Sequence, residues 1–206
     1  MVMKRFSSAL LPVLIPVLLL SGCASYHAAS LNSLLYEPIV TVSQQKSDGI
    51  SIIAKAFDKA DCKKYLDRDV LAKGYQPVQI YIRNDSDKSY SFSLNRISLS
   101  CARPEEVAAR VHTSTVGRAV GYGAASLILW PMAIPAVVDG FGSANANEAL
   151  DNDFISKTAR DTMIDPHSHL NKILFVPITE YKESFTVTLL EVDSNTPKKL
   201  IVKGNE

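Results

Sequence analysis

Pro77-Val78-Gln79-Ile80-Tyr81-Ile82-Arg83, then Asn84-Asp85-Ser86-Asp87-Lys88-Ser89, then Tyr90-Ser91-Phe92-Ser93-Leu94 is the stretch that decides the fold. Val78, Ile80 and Ile82 alternate with Gln79, Tyr81 and Arg83, and Tyr90, Phe92 and Leu94 alternate with two serines. Period-two patterning of this kind belongs to half-buried strands, and the polar six-residue stretch between them supplies turn residues. Pro77 stands at the first position of its strand, where a missing N–H does little harm. Upstream, Gly49 introduces the β-rich run Ile50 to Phe57, bounded by Asp58. The charged segment from Asp58 to Gly74 fits a helical turn or an ordered excursion between strands. Downstream, Ile97 and Leu99 continue a strand toward Cys101, Lys172 to Pro177 and Ser184 to Val192 read as two more strands, and Leu200-Ile201-Val202 as a last edge strand.

Between the two groups of strands the pattern changes. Pro104-Glu105-Glu106 places proline and acidic residues where a first helical turn accepts them, and Val107 to Val111 extends a short helix. Ala119 to Val138 carries no charge and is bracketed by Arg118 and Asp139. After Gly140 and Gly142, the residues Leu150, Phe154, Ile155, Ala159 and Met163 recur at near-helical spacing, predicting an amphipathic helix that ends before Pro166. The expected architecture is α+β: an Ig-like antiparallel β-sandwich with an inserted apolar helical hairpin and an amphipathic helix.

The N-terminus sets the compartment. Lys4 and Arg5 precede an uncharged run from Phe6 to Leu20, which is signal-peptide patterning and is broken by Pro12 and Pro16. Leu20-Ser21-Gly22-Cys23 closes it and resembles the bacterial lipobox. That resemblance implies that Cys23 becomes the first mature residue and carries lipid, with acyl chains in the membrane as partner. Ala24 and Ser25, in place of an aspartate after the cysteine, imply the outer membrane, periplasmic side. The expected organisation is a signal peptide at 1–22, a lipidated tether at 23–48 with a first ordered stretch at Tyr36 to Val42, and one domain at 49–206 with a helical insertion at 104–165. Through its proline-led strand ending in Asn84, its apolar segment, the helix containing Asn147 and Asp153, and the Phe175-Val176-Pro177 strand end, the chain resembles a group of uncharacterised bacterial envelope lipoproteins. That resemblance implies no activity.

Composition narrows the partners. The 206 residues hold 22 Lys plus Arg against 21 Asp plus Glu, and losing Lys4 and Arg5 with the signal leaves 20 against 21. No nucleic-acid partner is expected from such a balance. The uncharged segment 119–138 is long enough to cross a bilayer, but Pro131 and Pro135 and its many small residues argue against a span. Two readings stay open. Either it is a hairpin bent near Trp130-Pro131 that offers Leu127, Leu129, Trp130 and Ile134 to a membrane, a protein partner or a second copy of the chain, or it folds back as ordinary core.

Few residues suggest chemistry. Cys62 and Cys101 are the two cysteines left after lipidation, and an oxidising compartment permits a bridge between them, with two separate buried thiols as the alternative. Asp165-Pro166-His167-Ser168-His169 is the one ligand-like cluster; His167 and His169 are weak metal candidates, because a third ligand is missing and His27 and His112 are isolated. Asp58, Asp61, Asp67 and Asp69 lack the glycine and terminal glutamate of a calcium loop. Glu105-Glu106 fits a helix N-terminus better than an acid–base pair. Nucleophile-elbow, phosphate-loop, His-Glu-x-x-His and Cys-x-x-Cys motifs are missing, so no cofactor and no enzymatic activity are expected. The leading expectation is a structural or interaction role in the cell envelope, with a small binding module for an apolar ligand or metal ion as the alternative.

Overall fold

The computed structural model describes residues 25–36, 43–47, 49–112 and 133–203, with backbone alone for 36, 43–47 and 133–143. The chain forms two compact units, one of Met1–Tyr26 with Thr113–Ala149 and one of His27–His112 with Leu150–Glu206. Both sheets lie in the second. In chain order its elements are β1 (Ser43–Ser47), β2 (Ile50–Ala56), α1 (Lys59–Leu66), β3 (Tyr75–Asn84), β4 (Tyr90–Phe92) and α2 (Pro104–Val111), then α3 (Ala133–Lys157), which begins in the first unit, β5 (Thr162–Ile164), β6 (His169–Pro177), β7 (Phe185–Glu191) and β8 (Pro197–Val202). One sheet has the order β1-β2-β3-β6 and the other β5-β4-β7-β8, every pairing antiparallel. The fold is mixed α+β.

One hydrophobic cluster joins the sheets. Ile50, Ile52, Val78, Ile80, Ile82, Leu174 and Val176 from the first meet Tyr90, Phe92, Ile164, Val187, Leu189 and Leu200 from the second. These are the alternate positions that strand periodicity assigns to one face. The opposite face of β3, expected to meet solvent, is covered as well: Gln79 is 1 % exposed and Tyr81 5 %. The cover is the segment expected to be a tether. Leu34 packs on Ile53 and Tyr81, and the Asn32 carbonyl accepts from Gln79 Nε2 at 2.8 Å and Asn171 Nδ2 at 3.2 Å. On the same face Phe154 of α3 stacks on Phe175 of β6, ring centres 5.3 Å apart.

Several expectations change. Ser43–Ser47 is strand β1 where an irregular tether was expected, and Gly49, at φ +80°, occupies the turn into β2 in the left-handed conformation that glycine adopts freely. The expected ordered stretch of Tyr36 to Val42 reaches beyond the described residues after Tyr36. Ile97 and Leu99 form no strand. A 3-10 turn at Leu94–Arg96 leads to a single bridge between Ile97 and Val187. The amphipathic helix ends at Lys157, so Ala159 and Met163 are not on it: the Ala159 N–H donates to the Ile173 carbonyl at 2.9 Å, and Met163 lies in β5. The unit with the sheets therefore keeps 104–112 and 150–165, inside the expected 104–165 insertion. Pro135 falls in the first turn of α3, where its missing N–H costs nothing. The expected hairpin bend, Leu127, Leu129 and Trp130 lie outside the described residues, as does the side chain of Ile134. Among the described residues no helix is long and apolar enough to cross a membrane.

The acidic cluster of α1 serves the backbone. Asp58 caps the helix, accepting from the Asp61 N–H at 2.7 Å, and Asp61 answers from the Asp58 N–H at 3.3 Å, a reciprocal capping box. Asp69 accepts from the Ala72 N–H at 3.0 Å. At the other end of α1 the Lys64 carbonyl receives the Ala29 N–H at 2.8 Å. The Tyr65 carbonyl receives the ammonium of Lys157 at 2.7 Å. That ammonium also donates to the Ala29 carbonyl at 2.8 Å and to Asp153 at 2.6 Å, so its three donors are spent with the side chain only 8 % exposed. Replacing Lys157 by alanine removes the ammonium from two carbonyls and a carboxylate, and should lower the unfolding free energy by about 3 kcal/mol in urea titration. Lys157→Met, which keeps the aliphatic stem, should recover only a minor part of that loss.

Asp161 holds the 3-10 turn after β4, accepting from the Leu94 N–H at 2.9 Å and the Ser93 hydroxyl at 2.8 Å. These two bonds hold its carboxyl below the usual carboxylate range. Because the folded value is depressed, the stability Asp161 contributes is complete above the ordinary carboxylate value and disappears as pH falls through the folded value. Asp161→Asn should therefore have a lower melting temperature than the native chain at pH 7, with the difference shrinking as pH falls below the ordinary carboxylate value and through the folded one.

Candidate functional site

Residues 100–106 run along the outer edge of β6, because the Ala102 N–H donates to the Phe175 carbonyl at 2.7 Å before Pro104 opens α2. Two clefts flank that segment and share Cys101 and Ala102. The first, 390 Å³, is walled by Leu94, Pro104, Ala159, Leu174 and Phe175. Glu105 and Arg160 lie 3.8 Å apart at it, both largely exposed. Apolar walls with a few charges suit a small apolar group bearing a polar end.

The second cleft, 320 Å³, lies where α2 meets the start of β3. Glu106 and Arg110 are one helical turn apart, so their side chains share a face, and that face meets Tyr75. The Tyr75 hydroxyl donates to Glu106 Oε1 at 2.5 Å, and the Arg110 guanidinium lies 5.3 Å from the centre of the Tyr75 ring. Burial, and then the bond to Glu106, push the Tyr75 phenol above its ordinary value. The tyrosine keeps its proton at neutral pH and acts as a donor. Glu106 is thus bonded to Tyr75, and Glu105 faces Arg160, so the adjacent carboxylates do not form a shared acid–base pair. A third concavity, 590 Å³ and polar, is crossed by the Lys88–Glu191 ion pair at 2.8 Å.

The other sequence candidates fall apart in space. His167 has φ +53°, so His167 and His169 are not on one extended strand; His167 Nε2 meets Asp87 at 2.9 Å, while His169 stacks on Tyr81 with ring centres 5.2 Å apart. Among the described residues no group of three His, Cys, Asp or Glu could hold a metal ion. His112 pairs with Asp151 at 2.6 Å. Cys23 lies outside the described residues. In place of the expected bridge, Cys62 and Cys101 are separate free thiols. Cys62 is a fully buried residue of α1, whereas Cys101 sits between the two clefts. Tyr75, Leu94 and Arg110 were not singled out from the sequence; the Glu106–Arg110 spacing on a helix is a signal for Arg110 alone, and nothing local marks Tyr75 or Leu94. The chain matches no protein-family model, no curated protein and no solved structure.

Burial pushes both thiols up, each to about 11. At pH 8 only about a thousandth of either is thiolate, the form that reacts. Iodoacetamide should therefore label the native protein far more slowly than a free cysteine, and should label both residues rapidly in denaturant without reductant. A non-reduced mass lower by two hydrogen atoms, with no labelling of Cys62 or Cys101 in denaturant, would restore the bridge.

Proposed function

We propose that the chain is a bacterial envelope lipoprotein, held at the periplasmic side of the outer membrane by acyl chains on Cys23, with a structural or binding role in place of a catalytic one. The observation that carries this reading is Leu20-Ser21-Gly22-Cys23 at the end of a basic and then apolar segment. Ala24 and Ser25 support the outer-membrane destination. The body is read as an Ig-like β-sandwich, and the single cluster that joins the facing sides of the two sheets supports that reading. Residues 119–138, with Leu127, Leu129, Trp130 and Ile134, are proposed as the contact for membrane, protein partner or second copy. A second reading, binding of a small apolar ligand, is favoured by the 390 Å³ cleft beside Cys101.

Expression with radiolabelled fatty acid tests the anchor. The native chain should incorporate label and sediment with membranes, and Cys23→Ala should do neither; label retained in the variant would remove the lipoprotein reading. In the soluble Cys23→Ala form, changing Leu127, Leu129 and Ile134 to serine should preserve cooperative unfolding while weakening liposome binding or self-association. Loss of the folded state would make 119–138 core.

A further inference from the structure

We propose that α1 and the turn after it rest against the phospholipid headgroup layer, kept there by a leash too short to let the body leave. The inference depends on the acylation of Cys23 proposed above. Its structural basis is the place where the N-terminal segment becomes fixed. The His27 N–H donates to Asp67 Oδ2 at 3.1 Å, Ala29 is bonded through its N–H to the Lys64 carbonyl and through its own carbonyl to Lys157, and Leu34 is 1 % exposed. His27, four positions after the acylated residue, is thus already bonded to the body.

Four residues span at most about 14 Å when fully extended. The headgroup layer on one side of a bilayer occupies about 5–8 Å of that reach. The carboxyl end of α1 therefore lies within several ångströms of the membrane surface. A flexible tether over all of 23–48 would instead have given an end-to-end distance of about 28 Å and a body free to turn.

The surface at that end suits the layer it would meet. Lys63 and Lys64 in the last turn of α1 and Lys73 beyond it are exposed, and Lys59, on the first turn with its side chain 83 % exposed, reaches the half-exposed Asp69 past the carboxyl end; the Asp67 carboxylate, only 10 % exposed, lies beneath them. Lys63 pairs with Asp67, and Lys59 approaches Asp69 at 3.4 Å. A mosaic of ammonium and carboxylate groups matches headgroups that carry both phosphate and amine, and needs no strongly anionic membrane. Lys199 and Ile201, by contrast, lie on the face of the second sheet turned away from the shared core.

Lysine acetylation read by mass spectrometry tests this on the full acylated chain in vesicles of phosphatidylethanolamine and phosphatidylglycerol. Relative to soluble Cys23→Ala, Lys59, Lys63, Lys64 and Lys73 should react about threefold or more slowly, while Lys199 and Lys203 stay unchanged. Equal rates throughout, with the acyl mass present on Cys23, overturn this inference and leave the lipoprotein reading intact. An unmodified Cys23 overturns the anchoring and the inference with it. Inserting about twenty Gly and Ser residues between Ser25 and Tyr26, a coil of roughly 25 Å, should restore fast acetylation. Protection that survives the insertion overturns the leash as its cause.

Discussion

The buried ammonium of Lys157 is the point on which the covered face of the first sheet depends. It joins the carbonyl of Ala29, 128 positions before it, the carbonyl of Tyr65, 92 positions before it, and the carboxylate of Asp153 one turn back. A lysine is tolerated in such a place only when its donors are all used and its charge is answered, and both conditions hold here. The consequences spread outward. With Ala29 fixed, Asn32 reaches Gln79 and Asn171, Leu34 closes over Ile53 and Tyr81, and the Lys64 and Tyr65 carbonyls in the last turn of α1 are satisfied by the chain itself. The polar side chain of Gln79 can then be fully enclosed in a central strand, because both the segment above it and the neighbouring strand accept its amide.

The clefts follow from a different requirement. β6 is the outer strand of its sheet, and its free carbonyls invite pairing with another chain. Ala159 and Ala102 answer two of them, at Ile173 and Phe175, with single hydrogen bonds from passing loops. Loops held by one bond each cannot pack as closely as a fifth strand would, and the space they leave beside Leu174 and Phe175 is the apolar cleft. Cys101 and the Tyr75–Glu106–Arg110 group occupy the same margin for the same reason.

What the sequence made legible was decided by periodicity. The alternation through Val78 to Phe92 located β3 and β4, and Pro104-Glu105-Glu106 located α2 to the residue. β1 escaped because Ser-Gln-Gln-Lys-Ser has no alternation at all; an edge strand with little to bury carries no hydrophobic signal, and the Asp48-Gly49 pair was its only mark. The end of α3 escaped for the opposite reason: Ala159 and Met163 continue the helical spacing, but a backbone bond to Ile173 outweighs one further turn. Gln79 looked like a solvent-facing residue because the chain that covers it lies 47 positions away. Among the site residues, Glu106 was read correctly as part of a helix N-terminus, while its bond to Tyr75 depends on a pairing of distant elements that no local pattern encodes. The two cysteines were judged by number and compartment, and burial in separate surroundings is invisible to both.

The pairing of β3 with β6 also bears on the order of events during synthesis. Gln79 and Asn171 are 92 positions apart, so a central strand of the first sheet lacks one neighbour until most of the chain has been made. Closing a loop of that length has an entropic cost that local contacts do not bear, and folds built on such pairings assemble slowly. Under the export proposed above, the chain passes through a narrow membrane pore as an extended thread and gains from that delay. Its first half has no complete sheet to jam in the pore, and the strand that completes it arrives only near the end of the thread.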